Sequence, residues 1–328
     1  VKEHRYLFFA CFMLIVFAIS GNSCNNIRGF VFRINRHGED FQELRRLKSY
    51  IDYWGYREII SAKIIGTAIN QFCIVYDSDD TELIDIHGSE LWFGDLSNQY
   101  ELKASLDGNY LYQGNQRRHL NNFYSPETVF ADTTSGSISF GSISENNRYI
   151  CYVTAGNRIN LWDMDTQTNT SFLITDSTIG KPIYLERYNK IYYRDIGHLI
   201  RMNPDGSMRE VVKDLTSDHT GFVLYELRNK DALLIAQEGE LNVISLPGHE
   251  VLAQIPINDD AIHGQAYAPY SNEFYYINQN VLYCCDLNTY ENRVVYRGDK
   301  HGVKLGKGMS CTFDGDYILL GCTKQIDD

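Results

Sequence analysis

The chain has 328 residues, of which 44% are hydrophobic and 22% are charged, and this composition is too apolar for an intrinsically disordered chain. Its 42 acidic residues exceed its 30 basic residues, so the net charge is -12. Nucleic-acid backbones are bound through basic surfaces, and the acidic balance therefore excludes nucleic acid as an expected partner. Twenty-four tyrosines and 25 glycines, against only six prolines, favour strands and tight turns over helices.

The first 23 residues have the pattern of a secretory signal peptide. A short basic start precedes an apolar run over residues 6–19, and no further charge occurs until Arg28. This run is shorter than the roughly 20 apolar residues that a membrane-spanning helix needs. We therefore expect residues 1–23 to be removed on export and residues 24–328 to form a single domain. A retained signal that anchors the chain in the membrane is the alternative.

Two cleavage sites compete at the end of this segment. Ala18-Ile19-Ser20 suits ordinary signal peptidase, and cleavage there would give a plain secreted protein. Gly21-Asn22-Ser23-Cys24 resembles a bacterial lipobox, in which Cys24 is lipidated, although a lipobox usually has an aliphatic residue in place of Gly21. The polar pair Asn25-Asn26 that follows resembles lipoproteins of the Bacteroidota type. Both interpretations predict an exported protein, either periplasmic or on the cell surface, and lipidation of Cys24 would be its membrane attachment.

One short apolar strand, preceded by a turn rich in Asp, Asn or Gly, recurs along the chain. Successive copies are 37 to 43 residues apart. The residues that mark the seven copies are Ile74, Leu111, Cys151, Tyr192, Leu234, Tyr275 and Ile318. A period near 40 residues in β-type units is typical of a β-propeller, in which each blade has about four strands. The sequence therefore predicts an all-β, seven-bladed β-propeller.

The two ends of the chain each carry part of a blade. Too few residues follow Ile318 for a complete third strand, whereas residues 31–38 align with the third strand and turn at residues 199–206 and match it at Arg, Asn and Gly. We therefore expect the N-terminal strands to pair with the C-terminal strands and close the last blade, which would hide the edges of an open ring. Residues 45–62 exceed what a blade needs, and they predict an extra loop or a short helix on one face.

Short motifs in three blades resemble those of known propellers. Residues 156–164, which include Trp162-Asp163, resemble the closing strand of a tryptophan-aspartate repeat, although the Gly-His pair typical of that family is absent. The turns at residues 105–110 and 312–317 are similar to the Ser-Pro-Asp-Gly-Lys turn of TolB-like periplasmic propellers. These resemblances imply a propeller architecture for nearly the whole mature chain. Because propellers host scaffolds, lyases, hydrolases and dehydrogenases, the architecture does not assign an activity.

Six of the eight cysteines follow Cys24, and none has the CxxC spacing of a redox or metal site. Cys73 and Cys151 lie in apolar strand runs, where an unpaired cysteine behaves as a small apolar side chain. Cys284 and Cys285 are adjacent, and successive residues of a strand face opposite sides of the sheet. We therefore expect at most one of these two side chains in the core.

The sequence contains no nucleophile elbow, P-loop, dinucleotide-binding fingerprint or His-Glu-x-x-His motif. His219, His263 and His301 precede three successive repeat markers, by 15, 12 and 17 residues. This spacing predicts that each lies where an innermost strand begins, at the mouth of the central channel, where converging imidazoles would bind a divalent transition metal. Propeller lyases that act on oligogalacturonates are similar in using channel-mouth histidines and a metal. In this chain Gln265 and Tyr267 would line such a site as ligand-binding residues.

Two functions follow from these observations, and no catalytic residue is assigned in either. The first is a non-catalytic, exported scaffold that binds a protein or a glycan through one face of the propeller. The alternative is a metal-assisted polysaccharide lyase or hydrolase of the oligogalacturonate type, with the three histidines as metal ligands. Histidines within ligand distance of one another would favour the enzyme, and scattered histidines would favour the binding module.

Overall fold

The computed structural model describes twelve segments of the chain: 27–46, 63–67, 71–75, 80–95, 102–130, 138–154, 157–174, 180–215, 223–228, 230–237, 239–257 and 264–325. The predicted signal peptide and Cys24 lie outside these segments, as do residues 47–62 of the predicted extra loop or helix. The described residues form seven four-stranded antiparallel sheets. No helix in these segments is long and apolar enough to cross a membrane.

The sheets are the blades of a seven-bladed β-propeller, and each contains four consecutive strands except the last. The chain begins with β1 (Ile27–Asn35) and β2 (Gln42–Arg46), which belong to blade 7. Blade 1 contains β3 (Lys63–Gly66), β4 (Gln71–Val75), β5 (Asp80–Asp85) and β6 (Glu90–Asp95). Blade 2 contains β7 (Leu102–Ala104), β8 (Tyr110–Gln113), β9 (Gln116–His119) and β10 (Asn122–Thr128). Blade 3 contains β11 (Ser139–Ile143), β12 (Tyr149–Thr154), β13 (Arg158–Asp163) and β14 (Thr168–Leu173).

The remaining blades follow in the same way around the ring. Blade 4 contains β15 (Ile183–Leu185), β16 (Lys190–Asp195), β17 (His198–Met202) and β18 (Glu210–Asp214). Blade 5 contains β19 (Val223–Glu226), β20 (Ala232–Gln237), β21 (Glu240–Ser245) and β22 (Val251–Pro256). Blade 6 contains β23 (Gln265–Ala268), β24 (Glu273–Asn278), β25 (Val281–Asp286) and β26 (Glu291–Arg297). Blade 7 contains β27 (Val303–Cys311) and β28 (Tyr317–Gln325) together with β1 and β2.

The repeat predicted from the sequence is confirmed, because every marker residue lies in the second strand of its blade. Neighbouring blades contact one another through their first strands, such as β27 with β3 and β23 with β27. The first strand of each blade is therefore the innermost one, and the fourth lies at the rim. Blade 2 is complete, but its outermost pair shifts register between Asn122 and Pro126.

The predicted closure of the ring is also confirmed. Strand β1 pairs antiparallel with β28 over its whole length, with Ile34 opposite Ile318 and Asn35 opposite Tyr317. Strand β2 then pairs with β1 and supplies the outermost strand of blade 7. The two termini therefore complete one sheet, and no open edge is left between the first and last blades of the ring.

The core consists of the interfaces between blades, so both faces of a second or third strand are covered. This arrangement corrects the expectation for the adjacent cysteines, because Cys284 and Cys285 are both fully buried. Cys284 packs in the cluster between blades 6 and 7, whereas Cys285 packs in the cluster between blades 5 and 6. A strand between two neighbouring blades has no solvent face, and alternation therefore does not exclude either side chain from the core.

Two glycines allow neighbouring inner strands to approach closely. A Cβ atom on Gly66 would lie 1.9 Å from the carbonyl oxygen of Cys311, and one on Gly141 would lie 1.6 Å from that of Pro182. The amide of Gly66 donates to Oγ of Ser310 at 2.8 Å, which joins the inner strands of blades 1 and 7. Any side chain at either glycine would push the backbones apart at the centre of the ring.

The motifs that resemble known propellers form ordered turns. Oγ of Ser105 donates to Oδ1 of Asp107 at 2.6 Å, and Oγ1 of Thr312 makes the equivalent bond to Asp314, also at 2.6 Å. Asp163, in the motif that resembles a tryptophan-aspartate repeat, accepts a hydrogen bond from Nη2 of Arg148 at 3.0 Å. An arginine thus supplies the partner of this aspartate in a sequence that lacks the Gly-His pair of that family.

Candidate functional site

The propeller has two different faces. Because the strands of a blade run alternately up and down, the turns between first and second strands lie on one face, here named the closed face. The hairpins between second and third strands and the connections between blades lie on the other, here named the open face. First strands are innermost, so the turns of the closed face and the blade connections of the open face surround the two mouths of the central channel.

On the closed face, side chains reach across the channel. The hydroxyl of Tyr270, in blade 6, donates to the carbonyl oxygen of Leu106, in blade 2, at 2.5 Å. Blades 7 and 1 separate these two blades on the shorter way around the ring, so this contact crosses the channel axis. Arg228 of blade 5 likewise pairs with Glu145 of blade 3, on the far side of blade 4.

These residues form one cluster. The guanidinium of Arg228 lies over the ring of Tyr270, 4.5 Å from its centroid, and Phe313 of blade 7 packs edge-on against Tyr270 at 5.8 Å. We name Leu106, Glu145, Arg228, Tyr270 and Phe313 the axial cluster. Five of the seven blades contribute to it, and its contacts from Tyr270 to Leu106 and from Arg228 to Glu145 span this mouth of the channel.

The contacts of the axial cluster contribute little to the free energy of unfolding. Tyr270 is 39% exposed, and the charged groups of Arg228 and Glu145 are also accessible to water. An exposed ion pair contributes about 0–1 kcal/mol, and an exposed cation–π contact contributes about 0.5–1 kcal/mol. The cluster therefore stabilises the ring modestly.

Other polar groups of the closed face also join blades to one another. Nζ of Lys230 donates to the carbonyl oxygen of Leu287 at 2.7 Å, which links blades 5 and 6. Further bonds of this kind join Asn147 to Asp107, Tyr188 to Asp231, and Arg36 to Glu273. These four contacts hold neighbouring blades together.

The open-face hairpins of blades 4 and 6 are two-residue turns with left-handed backbone. Gln279 and Asn280 have φ values of 45° and 63°, and Ile196 and Gly197 have values of 27° and 71°. Oδ1 of Asn280 accepts the amide of Leu305 at 2.7 Å, and this bond anchors the start of the next inner strand.

His301 lies in a short 3₁₀ turn, Gly298–His301, directly before the first strand of blade 7, as its spacing predicted. Its ring stacks on Phe41 at 4.7 Å, and its Nδ1 lies 2.5 Å from the hydroxyl of Tyr296. Tyr296 belongs to the outermost strand of blade 6, and Phe41 adjoins the outermost strand of blade 7. His301 is therefore packed over outer strands, which differs from its predicted position at the channel mouth. The bond to Tyr296 leaves Nε2 as the ring nitrogen for a metal.

The two predicted ligand-binding residues lie on β23, the innermost strand of blade 6. The hydroxyl of Tyr267 donates to Oδ1 of Asn272 at 2.8 Å and accepts the amide of Arg228 at 3.3 Å. Burial raises the pKa of this hydroxyl well above its usual value. Tyr267 thus supports the turn that carries the axial cluster, whereas Gln265 is partly exposed at the start of the strand, toward the open face.

The metal site stays a prediction. His219 and His263 lie outside the described residues, so the structure describes only one member of the predicted triad. Within the segments that the structure describes, no three His, Cys, Asp or Glu side chains come close enough to hold a metal ion. The donor set for a transition metal would therefore need residues from the connections before β19 and β23.

Solved structures share this fold at low sequence identity. An oligogalacturonate lyase in complex with manganese matches 81% of this chain and 89% of its own length, with 14% identity and a TM-score of 0.57. The β-propeller domain of Cps50 (Swd1) from Myceliophteria thermophila matches 81% of this chain and 96% of its own length, with 10% identity and a TM-score of 0.55. No protein-family model and no curated protein matches the chain. The likeness shows the β-propeller fold, which this chain shares with a lyase and with a propeller domain of another protein.

The axial cluster was not predicted from the sequence, although a signal for it exists. Leu106, Tyr270 and Phe313 each stand five residues before their repeat marker, and Glu145 and Arg228 stand six before theirs. In the turns that resemble those of TolB-like propellers, this is the position after Ser or Thr. Aligning the turns by their markers would have gathered these residues on one face.

Proposed function

We propose that the protein is a non-catalytic, exported binding module that holds a protein or a glycan on the open face of the propeller. The axial cluster is the observation that supports this choice of face. It spans the channel mouth on the closed face, where neighbouring polar groups are already bonded between blades. We therefore place the ligand on the open face, away from the contacts that cross the closed-face mouth of the channel.

Photo-crosslinking from both faces tests this proposal in the cells that produce the protein. A benzophenone amino acid is placed at Asn115 or Gln279 on the open face, and at Met208 or Thr289 on the closed face. All four positions are in turns, and Gln279, Met208 and Thr289 are exposed. Because benzophenone inserts into C–H bonds, it captures proteins and glycans alike. We expect a discrete crosslinked product from the open-face positions.

The matched closed-face positions are the control for random collision. Products of equal yield from Met208 or Thr289 would show that the open face has no special role. Crosslinks that occur from the closed face alone would overturn the proposal. The mass of the product identifies it as a protein or as a glycan.

The second candidate is a metal-assisted lyase. The observation that favours it is the shared fold with an oligogalacturonate lyase in complex with manganese. A metal analysis of the purified protein and a titration with Mn²⁺ distinguish it from the binding module. Tight binding that is lost in His263→Ala, but kept in His198→Ala, would support the enzyme. Because metal ligands must be neutral imidazoles, the affinity should also fall below about pH 6.5. Absence of metal binding leaves the binding module.

Export and lipid attachment belong to the same proposal. If Cys24 carries lipid, labelled palmitate enters the wild-type protein and does not enter Cys24→Ser. A mature protein that begins at Gly21 would instead indicate simple secretion. Either outcome is compatible with an exported module, whereas a protein that retains residues 1–23 in the cytoplasm is not.

A further inference from the structure

The outermost strand of blade 3, β14, differs from the other six outermost strands in its pairing. Its register with β13 is continuous, from Asp163 opposite Thr168 to Arg158 opposite Leu173. In each of the other six described blades, the pairing of the two outer strands contains a register shift. Such irregularities bend an edge strand and interrupt the row of backbone groups that it offers to another chain. Among the seven described edges, that of blade 3 is therefore the one without an interruption.

The residues of β14 also lack the usual protection of an edge strand. Charged side chains and proline at an edge discourage a second chain from pairing with it. Each of the other six outermost strands contains such a residue, for example Glu43 in β2, Glu90 in β6, Pro126 in β10, Lys213 in β18, Pro256 in β22 and Arg293 in β26. Strand β14 has the sequence Thr-Asn-Thr-Ser-Phe-Leu and contains neither a charge nor a proline.

The edge of β14 is open to solvent. Its residues are exposed except for Phe172, which packs in the cluster between blades 3 and 4. Two of its polar side chains bond within the blade, because Nδ2 of Asn169 donates to Oδ1 of Asn160 at 3.2 Å and Oγ of Ser171 accepts Nε of Arg158 at 3.1 Å. The outward backbone N–H and C=O groups of an edge strand have no partner in their own sheet. These groups are what the edge offers to a further strand.

We infer that β14 pairs antiparallel with β14 of a second copy of this chain, so that two copies of blade 3 form one eight-stranded sheet. Such a contact is symmetric, and residues at its two-fold axis lie opposite their own copies. A charged edge strand would oppose like charges there, whereas β14 is neutral. Thr and Ser side chains that face one another across two strands form favourable hydrogen-bonded pairs. The sequence of β14 therefore fits its own copy.

This association should be weak and should dissociate on dilution. A six-residue edge buries less area than the roughly 1,000 Å² expected of a stable interface. The net charge of -12 on each chain also makes two copies repel one another. The inference goes beyond the proposed function and does not depend on it, because the edge lies at the rim of blade 3 and leaves the open face free.

Analytical ultracentrifugation of the purified protein tests the inference, with Cys24→Ser in every sample so that no lipid chain can drive association. We expect the mean mass to rise toward that of a dimer as the protein is concentrated. Thr170→Lys places a charge on the β14 edge and should raise the dissociation constant at least tenfold. Val211→Lys is the matched control, since it adds the same charge at a position of β18 that is 57% exposed and lies beside a register shift. It should associate as the wild type does.

Crosslinking gives a second measurement that does not depend on the lysine variants. Mild oxidation of Thr170→Cys or Ser171→Cys should produce a covalent dimer, because residues near the two-fold axis meet their own copies. The six native cysteines of the described segments are buried, and Val211→Cys should stay monomeric. A wild type that remains monomeric at every concentration would overturn the inference. Equal weakening by Thr170→Lys and Val211→Lys, or covalent dimers that form equally from Val211→Cys, would overturn it as well.

Discussion

Tyr192 and His249 show how single side chains connect neighbouring blades. Tyr192 is fully buried in blade 4, and its hydroxyl lies 2.9 Å from Nε2 of His249, which is on a hairpin of blade 5. Partial burial, together with the positive charge of Arg201, lowers the pKa of His249 below its ordinary value of 6.5. The folded protein therefore favours the neutral imidazole at this contact.

A pH dependence of stability follows from this lowered pKa. As the pH falls below about 6.5, the unfolded chain binds a proton on His249 more readily than the folded chain does, so folding loses stability until the lowered folded pKa is reached. We expect the Tm of the wild type to fall more steeply between pH 7.5 and pH 5 than that of His249→Asn. Asparagine suits the φ of 62° at this position. Parallel Tm curves for the two proteins would contradict the prediction.

The buried cysteines give a second prediction at the same scale. Burial raises the pKa of the Cys73, Cys284 and Cys285 thiols to about 12, so the reactive thiolate is scarce at neutral pH. We expect iodoacetamide at pH 8 to leave all six cysteines of the described segments unmodified in the native protein and to alkylate them in urea. Mass spectrometry of the two samples measures this. Rapid labelling of a native thiol would show that its blade interface opens readily.

At the scale of elements, the N-terminal strands are fixed to the ring by side chains as well as by the sheet. Phe41 stacks on Phe32 at 4.3 Å, on Tyr296 at 4.7 Å and on His301 at 4.7 Å. These contacts join the outer strands of blades 6 and 7 where the closing hairpin turns. The aromatic stack therefore supports the closure of the ring.

Removing this stack should weaken the whole fold, because the closing strands complete the last sheet. We expect Phe41→Ala to lower the free energy of unfolding by about 2 kcal/mol, less than for a fully buried phenylalanine because Phe41 is only partly covered. Urea denaturation measures the change, and Val294→Ala, an exposed apolar position on blade 6, is the matched control. Equal effects of the two substitutions would show that Phe41 does not support the closure.

The elements were largely predictable from the sequence because the propeller repeats one local pattern. A turn followed by an apolar strand is a short-range signal, and each of the seven markers falls in a second strand. The closing pair β1 and β28 was also predictable, since half a blade at each end of the chain leaves one arrangement that satisfies both. The burial of Cys285 was not predictable from alternation, because alternation assumes a solvent face that these strands lack.

For the whole molecule, the contacts that cross the closed face are the main result. Tyr270 and Arg228 connect blades that are not neighbours, so they restrain the ring independently of the β1–β28 pair. Their partners, Leu106 and Glu145, are 164 and 83 residues away in sequence. Their common position before the repeat markers places these residues on one face, but the repeat alone does not show which of them meet across the channel.

The contribution of the axial cluster can be measured by two substitutions at one position. Tyr270→Phe removes only the hydroxyl that bonds to Leu106 and should cost about 0.5–1 kcal/mol of unfolding free energy. Tyr270→Ala also removes the ring under Arg228 and should cost about 1–2 kcal/mol. Calorimetry of the two variants gives both values. Indistinguishable stabilities of wild type, Tyr270→Phe and Tyr270→Ala would show that these cross-channel contacts do not restrain the ring.

The repeat spacing predicted the turn that contains His301 but did not predict its distance from the channel axis. Its spacing correctly placed it before an inner strand, but a turn between an outermost and an innermost strand crosses the full radius of a blade. Spacing along the chain therefore identifies the turn in which a residue lies, but it does not determine how far that residue is from the channel axis. The stack with Phe41 and the hydrogen bond with Tyr296 place the His301 ring beside the outer strands of blades 6 and 7.

The most direct test of the two-face account is amide hydrogen exchange of the protein with and without the partner captured from the open face. We expect binding to slow exchange in the hairpins around Asn115, Ile196 and Gln279. Exchange in the turns that carry Leu106 and Tyr270 should stay unchanged, because the axial cluster already spans that mouth of the channel. Protection confined to the closed-face turns, with the open-face hairpins unaffected, would contradict the account.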